Sequence, residues 1–190
     1  RDLHSFPTRR SSDLDNLILG NDFCIKIPPT NSLPIQYYWT LLILGAILGV
    51  TGWIFNKGLL KTQDFYVKTL KKIPIQFKTI IPFVMVGILA LTIPEAIDGG
   101  DSLIESVIGN NIAIKLLIVI LVIKFIFTFF SYSSGVPGGI FFPLLAIGAL
   151  VGAIFGLLLN KYLGISDSLI VNFIVLAMAA QFASIVKAPI

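Results

Sequence analysis

Charge is scarce in this sequence. Charged residues make up 13% of the 190 residues and apolar residues 56%, and the mean hydropathy is +0.92. A soluble domain carries about 25% charged and about 45–50% apolar residues. The deficit of charge therefore excludes an ordinary soluble domain and predicts a protein embedded in a membrane. A net charge of +4 is too small to indicate nucleic acid as a partner.

Cysteine and histidine are almost absent as well. Cys24 is the single cysteine and His4 the single histidine. One cysteine cannot form an intramolecular disulfide, and neither residue has companions for a metal cluster or a redox pair. We therefore expect no metal site and no cofactor, and we expect that the protein is not an enzyme.

The two ends of the sequence differ from its apolar body. Residues 1–14 lack the apolar core of a signal peptide. They are interpreted as an artefactual or non-native leader, because residues 4–14 resemble a translated sequencing adapter; a short natural basic N-terminus is the alternative. Residues 15–34 are polar and contain proline, which predicts an extracytoplasmic loop. The other end stops directly after an apolar run, so we expect a fragment.

Apolar segments between residues 35 and 190 are long enough to be membrane helices. About 20 apolar residues span a hydrocarbon core of about 30 Å. By that measure, helices are predicted at about 35–56, 75–97, 112–132, 140–159 and 169–186. Pro82 and Pro94 are expected to bend or end the second helix. The predicted fold class is an all-α polytopic membrane protein with tilted and broken transmembrane helices.

Lysines are concentrated between the first two predicted helices. Residues 57–74 contain five lysines but a single acid, Asp64, whereas acidic residues cluster after the second helix. By the positive-inside rule, residues 57–74 are expected to be a cytoplasmic loop. A surface for anionic lipid is an alternative use of the same lysines.

Two features predict how the helices pack. Lys124 lies about 18 Å into the third predicted helix, where an unpaired charge costs several kcal/mol. It should therefore face the bundle interior, a water-filled cavity or an acid; snorkelling along a tilted helix is the alternative. Glycine recurs at every fourth residue of the next helix, at Gly148, Gly152 and Gly156, which predicts a very close neighbour.

The apolar body is interrupted once in an unusual way. Serines end the third predicted helix, a glycine- and proline-rich stretch covers residues 135–139, and the apolar sequence resumes around Pro143. This pattern is typical of a helix start. A helix N-terminus has unpaired N–H groups and about half a positive charge. At membrane depth it must face protein, water or a ligand, and an anion is the natural ligand.

Residues 133–143, with the sequence Ser-Ser-Gly-Val-Pro-Gly-Gly-Ile-Phe-Phe-Pro, resemble the Gly-x-Phe-x-Pro signature of the CLC chloride channels and proton/chloride antiporters. The segments at 55–57 and 187–189 also resemble that family in the same order, so the resemblance covers residues 33–190. It implies transport of chloride or a similar anion, with protons as a second partner in an antiporter. It also implies a homodimer in a lipid bilayer, and a prokaryotic cytoplasmic membrane is expected.

The resemblance implies that the backbone N–H groups of Ile140 and Phe141 bind the anion. The residues that support the conformation of the motif are Gly135, Pro137, Gly138, Gly139 and Pro143. Phe142 is a mild departure, because the family often has a smaller residue at this position.

The resemblance further implies that the chain is most of the second half of a CLC-type inverted repeat. The family's chloride-binding serine and its gating and proton-transfer glutamates belong to the first half, and its inner tyrosine lies further downstream. None of them is located here, and neither Glu95 nor Glu105 matches them. The sequence does not distinguish a channel from an antiporter, and it does not distinguish chloride from fluoride or nitrate as the transported anion. The fragment alone is not expected to conduct ions.

Two other function classes suit an apolar helical chain. An accessory or structural membrane subunit without its own pore needs no interrupted helix, so the break at 135–143 argues against it. An intramembrane enzyme needs paired acids or a nucleophile with a base. Residues 98–101, Asp-Gly-Gly-Asp, resemble the Gly-x-Gly-Asp of intramembrane aspartyl proteases, but Asp98 replaces the glycine and no second acid lies within another predicted helix.

Overall fold

The computed structural model describes residues 33–69, 71, 75–92, 113–135, 139 and 141–186. After a 3-10 turn at Ile35–Tyr37, its helices are α1 (Tyr38–Thr69), α2 (Ile75–Lys78), α3 (Ile80–Thr92), α4 (Ile114–Ser133), α5 (Phe141–Leu163) and α6 (Asp167–Val186). The described ranges contain no strand. The helices α1, α4, α5 and α6 are long and apolar enough to cross a membrane.

The first helix is longer than the apolar stretch that predicts it. The sequence predicts an end near residue 56 and a loop over 57–74, whereas α1 continues to Thr69. The lysine-rich segment has no proline before Pro74, and lysine, leucine and glutamine are good helix formers. Charge therefore ends the apolar run without ending the helix. At 1.5 Å per residue α1 is about 48 Å long.

The second predicted helix, at 75–97, is divided. A turn at Thr79 separates α2 from α3. Pro82 lies four residues after Lys78, so its ring clashes with the Lys78 carbonyl and it offers no N–H to that carbonyl. The proline therefore disrupts the helix where the turn is found. The end of this prediction, from residue 93 and including Pro94, lies outside the described residues.

Lys124 is buried in the described bundle. It is 6% exposed and lies on the same side of α4 as the buried residues Leu117, Ile120 and Thr128. These residues are spaced by three, four and four positions, which places them on one helix face. The expectation that Lys124 faces the bundle interior is confirmed.

The helices α5 and α6 are antiparallel and very close. A Cβ atom added at Gly148 would lie 2.8 Å from the Ala177 carbonyl oxygen, and one at Gly156 would lie 2.8 Å from the Ile170 side chain. Between them, a Cβ at Gly152 would lie 2.7 Å from the Ala177 Cβ. A side chain at these positions would push the helices apart. The close neighbour predicted from the glycine spacing is therefore confirmed and is α6.

Aromatic contacts fix the direction of α4 relative to α1. The ring centroid of Phe55 lies 5.9 Å from that of Phe125. About three turns further along α1 and about one turn further along α4, the ring centroids of Tyr66 and Phe130 lie 6.3 Å apart. The two helices therefore run in the same direction, and the end of α4 lies in the half of the molecule that contains the end of α1.

Candidate functional site

The interruption between α4 and α5 begins with an ordered helix end. The Ser134 N–H donates to the Phe130 carbonyl at 3.2 Å, and the Ser134 hydroxyl donates to the Ser131 carbonyl at 2.6 Å. Gly135 has a φ of 81°. This left-handed conformation is the common way for a chain to leave a helix, and it favours glycine. Gly135 therefore terminates α4.

The structure describes part of the predicted site. Gly135, Gly139, Phe141 and Pro143 are described, whereas Pro137, Gly138 and Ile140 lie outside the described residues. A Cβ added at Gly139 would meet no atom of the described chain within 4 Å, so no described residue fills the space beside Gly139.

The N-terminus of α5 has the properties of an anion site. The helix begins at Phe141, and Pro143 lies in its first turn, where the missing N–H breaks no intrahelical bond. The other N–H groups of this turn have no intrahelical partner. The first turn contains no acidic residue, so no carboxylate in it offsets the partial positive charge of the helix end.

This helix start lies inside the span of the longer helices. Near the start of α5, Leu144 packs in one buried cluster with Phe55 of α1. Beyond Phe55, α1 continues for 14 residues to Thr69, which is about 20 Å at 1.5 Å per residue. The unpaired N–H groups of α5 are therefore level with the interior of α1 and not with its end.

Comparison with known proteins gives the family. The family model described as voltage gated chloride channel matches residues 11–190. The chain belongs to this family. Among curated relatives, the H(+)/Cl(-) exchange transporter ClcA of Vibrio parahaemolyticus is 37% identical over 176 residues, which cover 91% of this chain and 38% of the relative. ClcA of Salmonella paratyphi B is 33% identical over 184 residues, which cover 95% of this chain and 38% of the relative.

A solved structure shows the same fold. The crystal structure of a slow cyanobacterial Cl-/H+ antiporter matches with a TM-score of 0.71 and 23% identity, over 90% of this chain and 44% of the antiporter chain. The predicted fold class, an all-α membrane protein with broken helices, is confirmed, and the protein is an integral, multi-pass membrane protein. The CLC chain spans less than half the length of these relatives.

Phenyl rings surround the helix start in this CLC chain. Phe141 and Phe142 are each about half exposed, and their ring centroids lie 5.7 Å apart. The Phe141 ring also lies 5.2 Å from that of Phe182 on α6. Phenyl side chains have no N–H or O–H to donate. These three side chains therefore offer no donor to an anion at this turn, which leaves the backbone N–H groups of the turn as donors.

A cavity of about 180 Å³ adjoins the end of α4. It is lined by Thr79, Pro82, Phe83, Val86, Phe127, Ser131 and Ser134. The lining offers hydroxyl groups but no charged side chain. Thr79, Pro82 and Phe83 lie at the start of α3, so this cavity adjoins a second helix N-terminus.

A polar contact that was not predicted from the sequence is buried between α1 and α6. The Thr51 hydroxyl donates to the Gln181 side-chain oxygen at 2.7 Å, and Gln181 is fully buried. The Gln181 side-chain nitrogen has no hydrogen-bond partner in the described part of the chain. The signal in the sequence was a glutamine within an apolar helix, but its partner lies 130 residues away and only the fold brings the two together.

Proposed function

We propose that this chain forms part of a chloride pathway in a CLC transporter, and that the backbone N–H groups of Ile140 and Phe141 bind the ion. The observation that carries the proposal is the start of α5 at the level of the interior of α1, without an acidic residue in its first turn. Backbone N–H groups and a helix dipole stabilise an anion without a full opposing charge. Binding is then favourable but weak enough for release, which conduction requires.

The complete activity needs more than this chain, which spans 38% of the length of its ClcA relatives. We propose that the full-length protein exchanges chloride for protons, as the names of these relatives indicate for them. We further propose that it acts as a homodimer in the cytoplasmic membrane of a prokaryote. A two-halved transporter places its substrate site between the halves, so α5 would supply one side of that site.

Ion flux tests the proposed activity. The full-length protein that contains this chain is reconstituted in liposomes, and chloride efflux is measured with and without an opposing proton gradient. We expect chloride efflux that drives protons in the opposite direction. Chloride efflux that is unaffected by the proton gradient would indicate a channel and not an exchanger. A well-folded protein without anion flux would contradict the proposed function.

Two substitutions at one position test the backbone site. Phe141→Pro removes one N–H, and a proline is compatible with the first position of a helix. Phe141→Leu keeps the N–H and removes the ring. Because a hydrogen bond to a charged group contributes about 1.5–3 kcal/mol, Phe141→Pro should weaken chloride binding by about tenfold or more in calorimetric titration. Phe141→Leu should change chloride affinity much less. If the two variants lower the affinity equally, the phenyl ring and not the backbone N–H is what binds the ion.

A further inference from the structure

A row of exposed lysines follows one side of α1. Residues of a helix are about 100° apart around its axis, so Lys57, Lys61 and Lys68 lie within about 40° of one another. All three are exposed. Tyr66, which is 2% exposed, lies on the opposite side of the helix. This lysine row therefore faces away from the rest of the described chain.

An apolar row runs beside the lysine row. Trp53, Leu60 and Val67 follow one another at seven-residue spacing and are 62%, 63% and 66% exposed. The Lys57 ammonium nitrogen lies 4.6 Å from the centroid of the Trp53 ring. Exposed apolar side chains next to lysines are typical of a helix at a membrane interface, where tryptophan lies at the level of the headgroups.

The length of α1 places both rows at such an interface. The helix has 32 residues and is about 48 Å long, whereas the hydrocarbon core is about 30 Å thick. Its last turns must therefore lie among or beyond the headgroups. The lysines indicate that this end is cytoplasmic, and the cytoplasmic leaflet is the one that carries anionic lipid.

We propose that the lysine row binds the phosphate groups of anionic phospholipids in the cytoplasmic leaflet, while Trp53, which precedes the row, lies at the level of the headgroups. The row is about 16 Å long from Lys57 to Lys68, so it contacts more than one headgroup. Asp64 lies within the row, and its carboxylate is 3.4 Å from the Lys68 ammonium. This carboxylate repels phosphate and therefore limits the affinity of the surface.

Lipid retention tests the proposal. The full-length protein is purified in detergent that contains equal amounts of phosphatidylglycerol and phosphatidylcholine, and the bound lipids are counted by native mass spectrometry. Each lysine near an anionic surface contributes about a fivefold preference. The triple variant Lys57→Gln, Lys61→Gln, Lys68→Gln should therefore lower the preference for phosphatidylglycerol by about 100-fold. Asp64→Asn should raise it, by up to about fivefold.

Lys161 provides a matched control. It is exposed, it lies 5.8 Å from the ring centroid of Tyr162, and it is at the end of α5 away from the lysine row. Lys161→Gln should leave the preference unchanged. If the triple variant keeps the same preference for phosphatidylglycerol, as expected if another part of the full-length protein covers the row, the proposal is overturned. It is also overturned if Asp64→Asn lowers this preference, or if Lys161→Gln lowers it as much as the triple variant does.

Discussion

Adding one methyl group at Gly152 tests how closely α5 and α6 pack. The new Cβ would lie 2.7 Å from the Ala177 Cβ, 2.7 Å from the Phe173 carbonyl oxygen and 2.8 Å from the Ile174 Cα. Carbon atoms in favourable contact are about 3.5–4.0 Å apart, so α6 would have to move by about 1 Å. Two of the three nearest atoms belong to the α6 backbone, which cannot rotate away as a side chain can. Overpacking of this kind costs about 1–3 kcal/mol.

Gly45→Ala on α1 is the control for Gly152→Ala. A Cβ at Gly45 would meet no atom of the described chain within 4 Å. Both substitutions gain up to about 1 kcal/mol of helix propensity, so the difference between the two variants isolates the steric cost.

Thermal unfolding of the purified full-length protein, followed by tryptophan fluorescence, measures that difference. In a domain of 150–250 residues, 1 kcal/mol corresponds to about 2–4 °C, and the shift becomes smaller as the protein becomes larger. This chain spans 38% of its ClcA relatives, so about 1–2 °C per kcal/mol applies to the full-length protein. The Tm of Gly152→Ala should therefore lie about 1–6 °C below that of Gly45→Ala. Equal Tm values would show that α5 and α6 are not in close contact at Gly152, and the glycine repeat would then need another explanation.

Two further substitutions test contacts near the site. Thr51→Val removes the donor to Gln181 and should lower the free energy of unfolding by about 1–3 kcal/mol, because a buried amide loses its partner. Adding Gln181→Leu to this variant should recover part of the lost Tm. If the Tm losses of the two substitutions simply add, that result would argue against the contact. Gly135→Ala forces a side chain into the left-handed conformation and should lower the free energy of unfolding by about 1–2 kcal/mol. Asparagine tolerates that conformation, so Gly135→Asn should lower the Tm less in the same thermal assay. Equal Tm values for the two variants at position 135 would contradict the positive φ.

Local patterns in the sequence predicted much of the fold. The glycine repeat predicted the close neighbour of α5 because its spacing of four follows directly from helix geometry. The depth of Lys124 predicted its burial inside the bundle because a membrane leaves few places for a charge. The glycine- and proline-rich stretch at residues 135–139 predicted the interruption between α4 and α5 because these residue types rarely continue a helix. In each case the type of residue satisfies a constraint that does not depend on the rest of the fold.

Other features required the three-dimensional structure. The end of α1 was predicted near residue 56 because the apolar run, which marks the part of a helix inside the hydrocarbon core, ends there. The helix itself continues to Thr69 because the residues that follow are good helix formers. The partner of Gln181 could not be predicted, since a polar residue in a helix does not indicate which distant helix it contacts. Ile140 and Phe141 were predicted to bind the anion by resemblance alone. Of these, the structure describes only Phe141, as the first residue of α5.

The packing of α5 connects the fold to the proposed chloride site. A helix N-terminus away from bulk water leaves N–H groups unpaired, and each unpaired group costs free energy until a ligand arrives. The helix therefore has to be held in place by contacts elsewhere along its length. The glycine face formed by Gly148, Gly152 and Gly156 brings α5 against α6 over two turns, and Leu144 and Ile147 are completely buried beside Phe55. If these contacts hold the N-terminus in position, Gly152→Ala should weaken chloride binding as well as lower the Tm, although Gly152 lies more than two turns from Phe141.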